Sequence, residues 1–239
     1  NLSEISGIKG TLFQTKYVFG GSRGHIYLWG DTNADGAMDP MVMLTGARTS
    51  NQDEPGTKRP VTQLPLLFQA APNANCQVGS MAVYFGTGAD ATRGNPQHIY
   101  AVNLGAGGYP TYTQMPGSPY ALGGNEIVVG SPILIKVGTG NLIDTNGVVL
   151  FLGFTFAQNP CSVGYSRLFA LDACNPALGG WDANGDGQVT GADRMAADLG
   201  EGRATAIVST HGSLMVTGME SLITFSDCSS SATSDCGRD

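Results

Sequence analysis

Tyr17-Val-Phe-Gly-Gly21, Val83-Tyr-Phe-Gly-Thr87 and, more loosely, Leu150-Phe-Leu-Gly-Phe154 are three copies of one pattern, 66 and 67 residues apart. A second apolar run follows each copy: His25-Ile-Tyr-Leu-Trp29, His98-Ile-Tyr-Ala-Val102 and Arg167-Leu-Phe-Ala-Leu171. Upstream, Leu64-Pro-Leu-Leu-Phe68 recurs 67 residues later as Ser131-Pro-Ile-Leu-Ile135, in each case 19 residues before the central run. Short β-branched and aromatic runs bounded by Gly, Pro and Asn read as strands. The repeat is therefore an entry strand, a central strand and a third strand. A degraded fourth copy is legible in Gly212-Ser-Leu-Met-Val-Thr-Gly218 and Leu222-Ile-Thr-Phe225.

Such a unit is shaped like a propeller blade. The expectation is an all-β chain forming a β-propeller of about three and a half blades, with repeats near residues 10–60, 61–127, 128–200 and 201–226, then a Ser- and Cys-containing tail over 227–239. The period exceeds the ~40–45 residues of a compact blade, so each blade carries long insertions. A propeller closes with about four to eight blades, and an open one exposes strand edges. This portion is accordingly expected to be incomplete in itself and finished by further polypeptide. A β-sandwich in which the repeat is accidental is the alternative. Thr145 to Val148 reads as a hairpin turn in either case.

Composition agrees with strands and turns. Thirty-five glycines and 12 prolines in 239 residues argue against long helices, since an interior Gly costs about 1 kcal/mol relative to Ala. The net charge is −7 and no basic run occurs, so nucleic acid and anionic membranes are not expected partners. The longest apolar stretch, 147–157, is too short to span a bilayer. Five cysteines stand at 76, 161, 174, 228 and 236, with no Cys-x-x-Cys arrangement. Cys161 with Cys174, and Cys228 with Cys236, lie close enough in sequence to close small disulfide loops, although spacing alone leaves connectivity open. Cys76 is then a buried thiol or a partner for polypeptide outside this chain. Cysteine usage of this kind points to an oxidising compartment.

Two loops concentrate the acids. After the third strand of the first repeat comes Asp31-Thr-Asn33-Ala-Asp35-Gly36-Ala37-Met-Asp39, with oxygen side chains at positions 1, 3, 5 and 9 and Gly at 6. Calcium takes six to eight oxygens, and alternate spacing turns every second side chain inward while Gly allows the sharp turn. The Ala37 carbonyl would supply a backbone ligand. Asp182-Ala-Asn184-Gly-Asp186-Gly187-Gln188-Val-Thr190-Gly-Ala-Asp193 fits the twelve-residue calcium loop at positions 1, 3, 5, 6, 7 and 12. Asp at position 12 is shorter than the usual Glu and resembles dockerin-type loops; a short helical segment, about Ala192 to Leu199, is expected to follow. Two Ca²⁺ sites are expected: Asp31, Asn33, Asp35, Ala37 and Asp39 in the first, and Asp182, Asn184, Asp186, Gln188 and Asp193 in the second.

Nothing in the sequence nominates catalysis. His25 and His98 occupy corresponding repeat positions, which suits a structural role better than a unique active site. No Gly-x-Ser-x-Gly elbow, His-Glu-x-x-His motif or phosphate loop is present, and Gly86-Thr-Gly88 reads as a strand end.

Val83-Tyr-Phe-Gly-Thr-Gly88 followed by Ile99-Tyr-Ala-Val102, long insertions and a nine-residue Asp-x-Asn-x-Asp-x-x-x-Asp loop together resemble the C-terminal propeller of PilY-type proteins, factors of the type IV pilus tip. The resemblance covers roughly residues 10 to 226. It implies calcium binding by Asp31, Asn33, Asp35, Ala37 and Asp39, a part in pilus extension, retraction and surface attachment, and pilus components, further polypeptide of the same protein, or a host or solid surface as partners. The implied location is extracellular or at the cell surface, or periplasmic and outer-membrane associated. The family's loop commonly has Asp third and Asn fifth, which are exchanged here. Its N-terminal adhesive region is not in this chain. The readings held against it are a fragment of a quinoprotein-like propeller dehydrogenase and a secreted structural subunit of a filament or surface layer.

Overall fold

Each strand-forming run pairs with its nearest neighbour along the chain. The computed structural model describes residues 10–13, 16–20, 26–31, 36–43, 60–68, 81–88, 97–104, 112–136, 147–159, 162–210, 213–218 and 222–226. These form four antiparallel sheets whose strand order follows chain order. The first contains β1 Gly10–Phe13, β2 Lys16–Gly20, β3 Ile26–Gly30 and β4 Asp39–Met43. The second contains β5 Leu66–Phe68, β6 Met81–Gly86, β7 His98–Leu104 and β8 Tyr112–Gln114, with β9 Tyr120–Ala121 also pairing with β7. The third contains β10 Glu126–Lys136, β11 Gly147–Thr155, β12 Tyr165–Asp172 and β13 Met195–Glu201, and the fourth β14 Ala204–Thr210, β15 Ser213–Gly218 and β16 Leu222–Ser226. Among the described residues, no helix is long and apolar enough to cross a membrane.

The sheets pack in sequence order, with a separate core between each pair. Ile26 and Leu28 meet Leu67, Val83, Phe85, Tyr100 and Val102 between the first and second sheets. Phe68, Tyr84, Ile99 and Ala101 meet Val128, Phe151, Phe169 and Leu171 between the second and third. Ile127, Leu150, Leu152 and Leu168 share the next core with Ala204, Ile207 and Val216 of the fourth. Because the middle sheets are covered on both sides, successive residues of β6 and β11 are buried regardless of parity. This explains why those runs are continuously apolar and do not alternate.

Register refines the repeat. Phe19 pairs with Tyr27, Phe85 with Tyr100 and Phe151 with Phe169, so an aromatic cross-strand pair recurs every 66 residues along the central strand. Phe85 and Tyr100 stack with centroids 5.0 Å apart. The central strand of the third copy is thus offset by one from the sequence alignment: Phe151 takes the place of Phe85, and Leu152, not Gly153, takes that of Gly86. The entry strands align as expected. Leu66 pairs with Tyr84 and Ile133 with Leu150. In β10 the register shifts between Val129 and Ile133, which accommodates Pro132, a residue with no N–H to give the ladder.

Two local expectations are corrected. No helix runs over Ala192 to Leu199: Gly191–Arg194 is a single 3-10 turn and β13 begins at Met195. Pairing of Met195, Ala197 and Asp198 with Phe169, Leu168 and Arg167 overrides the helical preference of two alanines. Of the turn expected over Thr145 to Val148, Gly147 and Val148 open β11 opposite Lys136 and Ile135, while Thr145 and Asn146 lie outside the described residues. Cys174 is disulfide-bonded; the other four cysteines, His25, His211 and the 227–239 tail lie outside the described residues.

Gly86 sets the spacing of the second and third sheets. A Cβ there would lie 2.3 Å from Val128 Cγ2, well inside van der Waals contact. Gly86→Ala is expected to destabilise the fold by about 1–3 kcal/mol, with Val128→Gly, which also removes the Cβ that would stand 2.4 Å away, recovering part of the loss in the double variant. Urea unfolding midpoints of the four chains of that cycle test this.

Candidate metal centres

Both acid-rich loops occupy the same connection, from the third to the fourth strand, in the first and third sheets. In the first, Asp31 follows β3 directly and is buried at 8% exposure. Its Oδ2 accepts the Gly36 N–H at 2.9 Å, and Gly36 has φ of +87°, a left-handed conformation that Gly adopts without strain. Asp39 opens β4 opposite Gly30, so Asp31 and Asp39 stand at the two feet of one hairpin. Ala37 is exposed. Asn33 and Asp35 lie outside the described residues.

The second loop is organised by side chains that accept backbone N–H groups, as Asp and Asn do in Asx turns. Asp182 Oδ1 accepts from Gly185 at 2.7 Å and Asp186 at 3.2 Å, and its Oδ2 accepts from Gly187 at 2.7 Å. Asn184 Oδ1 accepts from Asp186, and Asp186 Oδ1 from Gln188. Gly185 and Gly187 have φ of +74° and +85° with nothing near a Cβ, so backbone conformation and not space demands glycine there.

Asp193 has a different position from the other four. It is only 1% exposed. Its Oδ1 accepts from the Ala183 and Asn184 amides, and its Oδ2 from the Thr190 amide and hydroxyl. The Thr190 amide first of all, then the other donors, holds this carboxyl below the ordinary carboxylate range. An ionised carboxylate has about four lone-pair sites, and here all four are engaged in closing the loop. The remaining donors suit a hard cation. Asp182 Oδ2, Asn184 Oδ1 and Asp186 Oδ1 each accept one bond and keep capacity for another, Asp186 Oδ2 keeps its full capacity, and the alternating oxygens match what calcium takes. Gln188 is exposed, and the seventh position of such a loop offers its backbone carbonyl. Among the described residues, no group of three or more His, Cys, Asp or Glu side chains is gathered for a metal.

A further acid escaped the sequence reading. Glu126, the first residue of β10, is 1% exposed. Its Oε2 accepts the Gly123 N–H at 3.1 Å and lies 3.5 Å from Arg167 Nη1, while Oε1 is buried without a hydrogen-bond partner among the described residues. Room for it exists because position 153 is glycine: a Cβ there would lie 2.7 Å from Oε1. Only the register of β10, β11 and β12 brings these residues together, and no local motif announces it. His98, at the start of β7, donates its backbone N–H to Thr87 Oγ1 at 2.9 Å, a strand-end role.

Compared with known proteins, the chain matches no protein-family model and no curated protein.

Burial raises the Glu126 carboxyl above its ordinary range, against the pull of the Gly123 amide and Arg167. A raised carboxyl favours the neutral acid in the fold, so its contribution is complete below the unfolded-state value and is lost as pH rises through the folded one. Glu126→Gln should therefore gain stability relative to the parent chain as pH rises from about 4 to 7. Denaturant titrations at both pH values check the sign.

Proposed function

We propose that the chain is a calcium-stabilised portion of a β-propeller belonging to a PilY-type, pilus-tip-associated protein, acting in adhesion and pilus assembly without catalysis. The observation that carries this reading is the placement of both acid-rich loops on the third-to-fourth strand connection of repeating four-stranded meanders. Three features of the packing support a blade-type reading. Each sheet is built from consecutive strands, entry strands lie beside entry strands (β1 with β5, β5 with β10, β10 with β14), and the equivalent residues Leu64 and Ser131 of adjacent sheets are hydrogen-bonded, amide to hydroxyl, at 3.2 Å. In this reading Pro- and Gly-rich insertions are held on one rim by cations. Further polypeptide supplies the remaining blades, and the partners are pilus components or a surface outside the cell.

Calcium, when bound, supplies positive charge and a fixed coordination geometry that bridges carboxylates otherwise repelling one another. Asp31 and Asp39 would tie the feet of the β3–β4 hairpin, and Asp182, Asn184 and Asp186 would fasten the second loop, with Asp193 latching its backbone. Two divalent ions bring the formal charge from −7 to −3, which leaves a surface close to neutral.

Isothermal titration should show two calcium sites, with Asp31→Ala removing one and Asp186→Ala the other; an unchanged two-site isotherm in both variants would remove the loops from this reading. Chelation should also lower the melting temperature, since a ligand at 100 times its Kd stabilises by about 2.7 kcal/mol. Thermal melts in calcium and in chelator measure this.

A further inference from the structure

The segment that carries the second loop leaves β12 at Asp172 and enters β13 at Met195; Gly179 bridges back to Leu171 and the Gly180 amide donates to the Ala170 carbonyl of β12, and the segment is also seated on the second sheet. Three contacts fasten it there. The Tyr84 hydroxyl, from β6, donates to the Ala173 carbonyl at 2.9 Å. Gly117 lies so close that a Cβ on it would come within 2.4 Å of Ala177 Cα. Arg194 places its guanidinium carbon 4.3 Å from the ring centroid of Tyr120, within the range of a cation–π contact.

The third contact joins the loop directly to the neighbouring sheet. Arg194 follows Asp193, the residue that takes four bonds from the loop, and its Nε donates to the Gly191 carbonyl at 2.9 Å, which fixes the side chain against the same turn. Tyr120 belongs to β9, paired with Ile99 of β7, and its ring meets Phe169 of the third sheet edge-on at 5.9 Å. The Gly179 amide donates to the Thr190 carbonyl at 2.8 Å, so the base of the segment is bonded to the end of the loop.

We infer that Tyr120 and Arg194 are positioning residues for the second metal loop: the conformation that gathers Asp182, Asn184 and Asp186 and the seating of the segment on the second sheet are one linked equilibrium. This rests on the calcium reading above. Coupling of this kind is reciprocal: whatever orders the loop tightens the contact between the sheets, and loosening that contact weakens the loop's hold on its ion by the same factor.

The test uses calcium titrations of the second site in the Asp31→Ala chain. Tyr120→Leu, outside the loop and unable to ligate, should weaken calcium binding about five-fold or more, the low end of typical coupling. Tyr120→Phe keeps the ring face and should retain the parent affinity. Phe85→Leu loosens the second sheet on its other side, toward the first, and should leave the affinity unchanged. If Tyr120→Leu fails to fold, Arg194→Gln reads the same contact from the loop side. Equal affinity in Tyr120→Leu or Arg194→Gln and the parent overturns the coupling and leaves the calcium site standing. Weakening in Phe85→Leu by the same factor also overturns it, because general loosening would then account for the effect. Absence of second-site binding in the parent overturns both.

Discussion

The close approach of the second and third sheets governs the molecule. Gly86 lets Val128 come where a side chain would otherwise stand, and the Val128 amide donates to the Thr87 carbonyl at 3.1 Å. Backbone and core are therefore tied at the same place. Tyr84 sits inside this interface with no exposed surface. Burial, and then the nearby Asp172, push its phenol well above the ordinary tyrosine range, so it remains neutral and available as a donor to Ala173. A buried hydroxyl without a partner carries a desolvation cost, and the Ala173 carbonyl supplies the partner. The segment bearing the second loop thus begins at a bond made by the sheet next door.

Much of this architecture was legible in the sequence because the repeat unit is itself the structural unit. The central and third strands, and the entry strands of the second and third sheets, are short apolar runs bounded by breakers and fall where those runs stand; the first sheet's entry strand β1, at Gly10–Phe13, and the fourth strands are not marked by the repeat. Aligning the third copy on its glycine offsets its central strand by one residue. Gly86 is glycine on account of Val128 in the next sheet, whereas Gly153 faces the other way and makes room for Glu126 within its own sheet. Equal residues had unequal causes, and the aromatic pairs at 66-residue intervals were the better guide. Phe151 opposite Phe169 looks like Phe85 opposite Tyr100 only when both strands are read together.

The second loop shows the same limit at the scale of single bonds. Its spacing was plain, and so was the turn that Asn, Asp and Gly enforce. The role of Asp193 was not. Position 12 reads as a ligand, yet Thr190 and Asp193 also form a capping box, each side chain accepting from the other's end of the turn, and the Ala183 and Asn184 amides complete the set. A capping box usually announces a helix. Here it closes one turn, after which pairing with β12 takes over. Glu126 was illegible for a simpler reason: its neighbours Gly153 and Arg167 are 27 and 41 residues away in sequence, and only cross-strand register makes them adjacent.

The ordering of the sheets has a consequence for how such a chain comes into being. Every sheet is built on a meander of consecutive strands, to which the second adds β9 beside β7, so each can pair internally as soon as its own residues are available, without waiting for distant ones. Contacts within a sheet are local and contacts between sheets are the late ones, a division that favours rapid assembly. What a newly formed sheet lacks is a cover for its second face, and the next segment to emerge brings that cover. A chain that is threaded end-first through a pore, or released slowly from synthesis, would meet its partners in the order in which it needs them, with one apolar face waiting at a time.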